Sequence, residues 1–332
     1  MTTTRTTKAA RAGRRSSRPA PGRDPLTAAR GAGRRASAAA MLAVVGAAAM
    51  ALLAGAASAA HSAAHTERAR QQEETLRKTF TLSPAPGGGR TVEVDNFSGA
   101  VVVRGRPGDE VTLAVHETWA ADSDEKLALA RREVRLDVVE TGGRLRFFVD
   151  GPFRSRDGGI CFHGWDRLGY DARFDFELEV PADVDLVART VNDGEVRATG
   201  IGGRFDVSNV NGPVTLERLG GAGKARSVNG AVAASFVRNP TAACTFETVN
   251  GRVEASFLPD LAADLRLKTL NGEIFTDYDY TWRNLPPQPA DRSRGRFHYR
   301  SHGEVGARIA GGGPELSFST INGDILIRRQ GA

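Results

Sequence analysis

The sequence holds no Gly-x-Ser-x-Gly elbow, no P-loop and no paired nucleophile and base. The catalytic classes that depend on those patterns have no carrier in it. Cysteine is scarce: Cys161 and Cys244 are the only two, so at most one intramolecular disulfide can form. Basic charge is missing from most of the chain despite a formal net charge of +6. Residues 1–35 hold ten Arg or Lys against Asp24 alone, and the remainder is 35 basic against 38 acidic. A nucleic-acid-binding domain carries its basic footprint on the fold itself, so no nucleic acid is expected as a partner. Gly200–Gly203 and Gly220–Gly223 are no phosphate loops, because no helix follows either.

What the chain has in abundance is one phrase: Ser or Thr, an apolar residue, Asn-Gly, any residue, then Val or Ile. It reads Ser227-Val228-Asn229-Gly230-Ala231-Val232, Thr248-Val249-Asn250-Gly251-Arg252-Val253 and Thr269-Leu270-Asn271-Gly272-Glu273-Ile274. It returns as Thr320-Ile321-Asn322-Gly323-Asp324-Ile325, and looser copies stand at Asn211-Gly212 and Asn192-Asp193-Gly194. The glycines at 194, 212, 230, 251 and 272 are 18, 18, 21 and 21 residues apart, and the last step, to Gly323, is 51. A period near 20 marks stacked units that cannot bury their own apolar faces. Asn-Gly belongs at a sharp turn, where both residues tolerate positive φ.

Alternation around each turn is strict. Phe246 and Thr248 share a side with Val253, Ala255 and Phe257; Leu267 and Thr269 share one with Ile274, Thr276 and Tyr278. Period two means half-buried strands. The slot after the turn reads Val214, Val232, Val253, Ile274, Ile325, and the turn slot reads Asn throughout. Such columns favour a coil over plain hairpins, since each side chain then sits on its own equivalent about 4.8 Å away. The expected fold is all-β, a right-handed β-solenoid with 18–21-residue Asn-Gly rungs, its turns forming a ladder of Asn192, Asn211, Asn229, Asn250, Asn271 and Asn322. Outward slots (Ser208, Arg226, Glu247, Lys268, Ser319) are polar and mixed in sign, with Arg252 one rung from Glu273, the pattern of cross-rung pairing on a solvated face.

The domain reading follows. Residues 1–35 form a basic disordered tail or the n-region of a signal. Residues 36–60 carry no charge and are long enough to span a bilayer of about 30 Å. Ala57-Ser58-Ala59 matches a signal-peptidase site, so the segment is either a cleaved signal ending near Ala59 or an uncleaved membrane anchor. Both send the C-terminal part outward. Residues 61–89 read as a linker, with a short solvated helix over 67–78 and a break at the Pro-Gly-rich run 84–89. Residues 90–172 form a β cap with one helix starting at Ser123, and 173–329 carry the rungs. Two excursions, 151–172 and 279–314, interrupt the regular part and are the expected seats of binding specificity.

Cysteine and histidine are few, two and six. Cys244 shares the inward parity of Phe246 and reads either as a small core residue or as the disulfide partner of Cys161. Cys161, His163, His298 and His302 read as loop residues rather than as zinc ligands, because the two histidines of 298–302 lie in no helical pattern. No cofactor and no metal site are expected.

With Phe176-Glu177-Leu178-Glu179-Val180-Pro181 ahead of the rungs and Gly311–Gly313 before the last, the chain resembles the bacterial putative-adhesin proteins built from β-strand repeats. The likeness covers roughly residues 92–329. It implies a β-solenoid in a cell-envelope setting, with no catalytic residues to carry over. The expected function is a non-enzymatic exported scaffold that contacts an envelope polymer or a surface protein. A polysaccharide lyase or hydrolase using outward carboxylates (Glu254, Glu273, Asp277, Asp279, beside Arg252 and Lys268) is the alternative from another class. A sensory envelope protein signalling through residues 1–35 is the third.

Overall fold

The computed structural model describes residues 70–85, 88–155, 168–283 and 304–331. Among them are twenty-one strands and one helix, arranged in two large sheets. Every intact phrase joins a strand of one sheet to a strand of the other, and such a pair is termed a rung. The rungs are Asp185–Thr190 (β8) with Val196–Thr199 (β9), Phe205–Asn209 (β10) with Val214–Leu219 (β11), and Gly223–Arg226 (β12) with Val232–Phe236 (β13). Then come Cys244–Glu247 (β14) with Val253–Phe257 (β15), Ala263–Lys268 (β16) with Ile274–Thr276 (β17), and Glu315–Ser319 (β20) with Ile325–Arg329 (β21). Thr91–Asp95 (β2) and Val101–Arg106 (β3) form an early, degenerate rung.

Stacked rungs pair in parallel, with like residues in register. One sheet aligns Val101, Val196, Val214, Val232, Val253, Ile325 and Ile274. The other aligns Ala225, Phe246, Phe318 and Leu267. Strict alternation turns these residues inward, so the core lies between the sheets. Phe236 stacks on Phe257 at 4.9 Å, Phe246 stacks on Phe318 at 5.2 Å, and Phe236 meets Phe246 edge-on at 6.3 Å. Each such ring contributes about 2–3 kcal/mol through burial, and offset pairing adds about 1.

Among the rungs, spatial order departs from sequence order at one point. β20 lies between β14 and β16, and β21 between β15 and β17. The last rung in sequence is therefore inserted between the rungs of Asn250 and Asn271, which are neighbours along the chain. Glu273 is consequently two rungs from Arg252, with Asp324 between them, and Arg252 instead reaches Glu254 of its own rung at 3.8 Å. Part of the expected excursion 279–314 is also regular: Tyr280–Arg283 (β18) and Glu304–Ile309 (β19) pair antiparallel, and β19 pairs with β16.

The N-terminal end is covered. Tyr170–Pro181 (β7) adds to β3 in parallel, and Glu110–Ala121 (β4) and Arg70–Thr81 (β1) then extend that sheet antiparallel; Arg144–Asp150 (β6) adds to β2 in parallel, and Arg135–Thr141 (β5) closes the other sheet antiparallel. Residues 67–78, expected as a solvated helix in a linker, are strand from Arg70 onward. Leu76 and Phe80 face Val115 and Val111 and pack against the core, and this pairing along twelve residues overrides local helical preference. The helix α1, Asp124–Glu133, starts where the sequence indicates: the Ser123 hydroxyl accepts from the Lys126 amide at 3.3 Å. Ala130 is its buried contact, and Val134 ends it.

No helix among the described residues is long and apolar enough to cross a membrane. The basic tail 1–35 and the apolar segment 36–60 lie outside those residues, as do Cys161, His163, His298 and His302.

Candidate functional site

The turn asparagines are continuous in space. Asn211 donates its side-chain amide to the Oδ1 of Asn192 at 2.9 Å, Asn229 to Asn211 at 2.9 Å, and Asn250 to Asn229 at 2.8 Å. Asn322 then donates to Asn250 at 2.7 Å, and Asn271 to Asn322 at 2.8 Å. A second line of bonds runs alongside. The hydroxyls of Ser227, Thr248, Thr320 and Thr269 donate to the carbonyls of Gly212, Gly230, Gly251 and Gly323 at 2.7–3.0 Å. Thr190 does the same to Gly99, and Asn209 replaces a hydroxyl in donating to Gly194. The Ser/Thr and Asn of the phrase are thus each bonded to the rung beneath. Each bond gives a net of about 1 kcal/mol.

Glycine is required in the phrase for closeness rather than for turn handedness. Gly212, Gly230, Gly251 and Gly272 do not have positive φ; Gly323, at φ 155°, is the exception. A Cβ on Gly230 would lie 2.3 Å from the Gly212 carbonyl oxygen, one on Gly251 2.3 Å from that of Gly230, and one on Gly323 2.0 Å from that of Gly251. The true left-handed turn residue is Asp193, with φ 58°, in the looser copy; its carboxylate accepts from the Ser98 hydroxyl at 3.1 Å.

Outward charges are paired across strands. Arg226 reaches Glu247 at 3.2 Å, and Arg266 reaches Glu304 at 3.2 Å. Near the N-terminal end Glu93 and Asp95 are almost buried beneath Arg144, Arg146, Arg154 and Arg189, at 2.9–3.7 Å. Phe148 lies between the guanidiniums of Arg146 and Arg154, 4.4 and 4.3 Å from its ring centre. Of the carboxylates that a hydrolytic reading would use, Glu254 and Asp277 flank Arg328 at 3.8 and 3.6 Å. Glu273 is held at the turn instead, its amide donating to Asp324.

Asp264 receives Arg283 and Arg308, each at 2.8 Å, and bonding to Arg308 above all lowers its pKa below the ordinary value. Burial pushes the Cys244 thiol up to about 11 and the Tyr278 hydroxyl up to about 12. The Tyr278 hydroxyl donates to the Leu258 carbonyl at 2.8 Å. Cys244 is buried in β14 and unlinked to any described residue, while Cys161 lies outside the description. No group of three or more His, Cys, Asp and Glu is gathered for a metal among the described residues.

Large apolar side chains lie exposed at the end of the stack opposite α1. Leu270 is 74% exposed, Trp282 69%, and Phe275 and Tyr280 are also out. Tyr280 and Trp282 meet edge-on at 4.9 Å. Sequence reasoning named Tyr280 and Trp282 as part of an excursion, but had no sign that Leu270 and Phe275 share that end. Their exposure follows from the inserted rung, which spacing alone does not encode.

No family model matches the chain, and no curated protein does. Among solved structures it is similar to a putative cell adhesion protein from Clostridium sporogenes, with 10% identity, 79% of this chain and 100% of the other covered, and a TM-score of 0.39. A putative adhesin from Bacteroides fragilis matches at 9% identity over 77% of this chain and 97% of its own, with a TM-score of 0.24. A putative lipid binding protein from Parabacteroides distasonis matches at 9% identity over 76% and 96%, with a TM-score of 0.23.

Proposed function

We propose that the chain is a non-enzymatic, exported scaffold of the cell envelope: a right-handed β-solenoid that binds an envelope polymer or a surface protein. The coil reading is supported by the way each phrase carries the chain from one sheet to the other, rung upon rung in parallel register. The observation that carries the function is the unbroken double ladder. From Asn192 to Asn271 the phrase residues are spent on holding one rung to the next. Such a build provides a rigid support for recognition by its ends and excursions. Export rests on residues 36–60 behind a basic flank, acting as a cleaved signal or as an anchor.

The test is one incubation of the full chain, in mild detergent, with envelope polysaccharides and envelope proteins, scoring retention and chain cleavage together. Retention without new chain ends is the expected result. New chain ends overturn the scaffold reading and make Glu254 and Asp277 the first residues to substitute.

A further inference from the structure

We infer that the open side of the last stacked rung, at Thr269–Thr276, is a docking edge for an extended segment of a partner protein carrying the chain's own phrase: Ser/Thr, apolar, Asn-Gly, any residue, Val/Ile. The internal rungs define what fits. In each, the arriving rung gives a hydroxyl to the Gly carbonyl, an amide to the Asn Oδ1 and its Asn carbonyl to the Gly amide. The Gly amides of Gly230, Gly251 and Gly323 donate to the carbonyls of Asn250, Asn322 and Asn271 at 2.9–3.0 Å. The arriving apolar residue also covers its equivalent: Val249 is 8% exposed beneath Ile321, whereas Leu270 is bare.

At the last rung all of these partners are missing among the described residues. No donor reaches the Gly272 carbonyl or the Asn271 Oδ1, and no acceptor reaches the Gly272 amide. β17 is the final strand of its sheet, and Ile274 is only partly buried where Val232, Val253 and Ile325 are fully buried. In the other sheet β19 already occupies the edge of β16. An incoming segment therefore enters at the turn and runs along β17 in parallel. A folded second copy offers no parallel strand carrying the phrase: head to tail it presents β1 or β5, which lack the phrase, and edge to edge its own β17 runs antiparallel. A separate extended segment remains, and strand addition to a sheet edge is a general mode of recognition.

The inference deepens the scaffold reading by naming a partner. Retention of other envelope fractions without uptake of the phrase defeats it while leaving that reading intact. The test is fluorescence anisotropy of a labelled peptide of Thr248–Phe257 titrated with the full chain in mild detergent. Saturable binding is expected, weakened about tenfold by Asn250→Ala or Thr248→Val in the peptide. Leu270→Lys in the protein, at an exposed site that leaves the fold intact, is expected to abolish it. Equal binding of a scrambled peptide, or no uptake at millimolar protein, overturns the inference. Self-association of the chain that Leu270→Lys removes, with no uptake of peptide, also overturns it and assigns the edge to a second copy.

Discussion

The two ends of the stack solve the same problem in opposite ways. Both sheets have edges at each end, and a bare edge is a template for another strand. At the N-terminal end β1 runs along β4 for twelve residues and turns mostly charged and polar side chains outward. The helix α1 packs beside it, with Arg131 bonded to Glu74 and lying 5.3 Å over the ring of the buried Trp119. At the other end the final strands are three and four residues long, and Phe275, Tyr280 and Trp282 are open to solvent. One end is sealed by sequence that otherwise has no evident task. The other keeps the apolar and hydrogen-bonding groups of an unfinished rung.

The contrast can be broken most directly with two tryptophans. Trp119→Ala should cost about 3–5 kcal/mol, because the ring lies in the packed core at the sealed end. Trp282→Ala should stay within about 0.5 kcal/mol. Urea midpoints of the two variants measure this, and equal losses would mean that the open end is as tightly packed as the closed one. Next come the glycines. Gly251→Ala should cost about 3 kcal/mol, since its Cβ meets a carbonyl held on both sides. Gly272→Ala makes a contact as close, 1.9 Å from the Gly323 oxygen, yet its rung can move away into open space, so the loss should be smaller.

A finer comparison uses the asparagines. Asn250→Ala strands the amide of Asn322 and the Oδ1 of Asn229, for about 2 kcal/mol, while Asn271→Ala strands only the Oδ1 of Asn322, for about 1. The smallest effect is expected from pH. The carboxyl of Asp264 has a folded pKa below its ordinary 3.8, so its contribution is complete above that value and disappears as pH falls through the lower folded one. Hydrogen exchange of β18 and β19 should quicken in that acid window while β8–β11 stay protected.

Much of this architecture was legible in the sequence because stacking repeats the same local demand. Val at the slot after each turn, Phe246 and Phe257 inward, and Asn at every turn follow from alternation and column regularity. Three things were not. The order of the rungs was hidden, since the step of 51 residues to Gly323 says that something intervenes but not that Asn322 turns back between Asn250 and Asn271. The strand nature of residues 70–81 was hidden because their partner, β4, lies some forty residues away. The reason for the glycines was also misread: closeness to a neighbouring carbonyl is a property of the assembled stack, whereas turn handedness is local. The open edge depends on the first of these, so it was out of reach before the order was known.

The inserted rung also sets a timetable. Synthesis proceeds from the N-terminus, and domains begin to form as they emerge. Here residues 263–276 leave the ribosome before the strands on which they rest, β20 and β21, have been made. That stretch has to wait or settle provisionally on β14 and β15 until β20 and β21 arrive. A chain without β20 and β21 would consequently lose more than one rung: it would have a vacancy inside the stack, with the Asn271 rung unsupported beyond it. Whether the stack closes is thus decided by β20 and β21, which follow in sequence the rung they support.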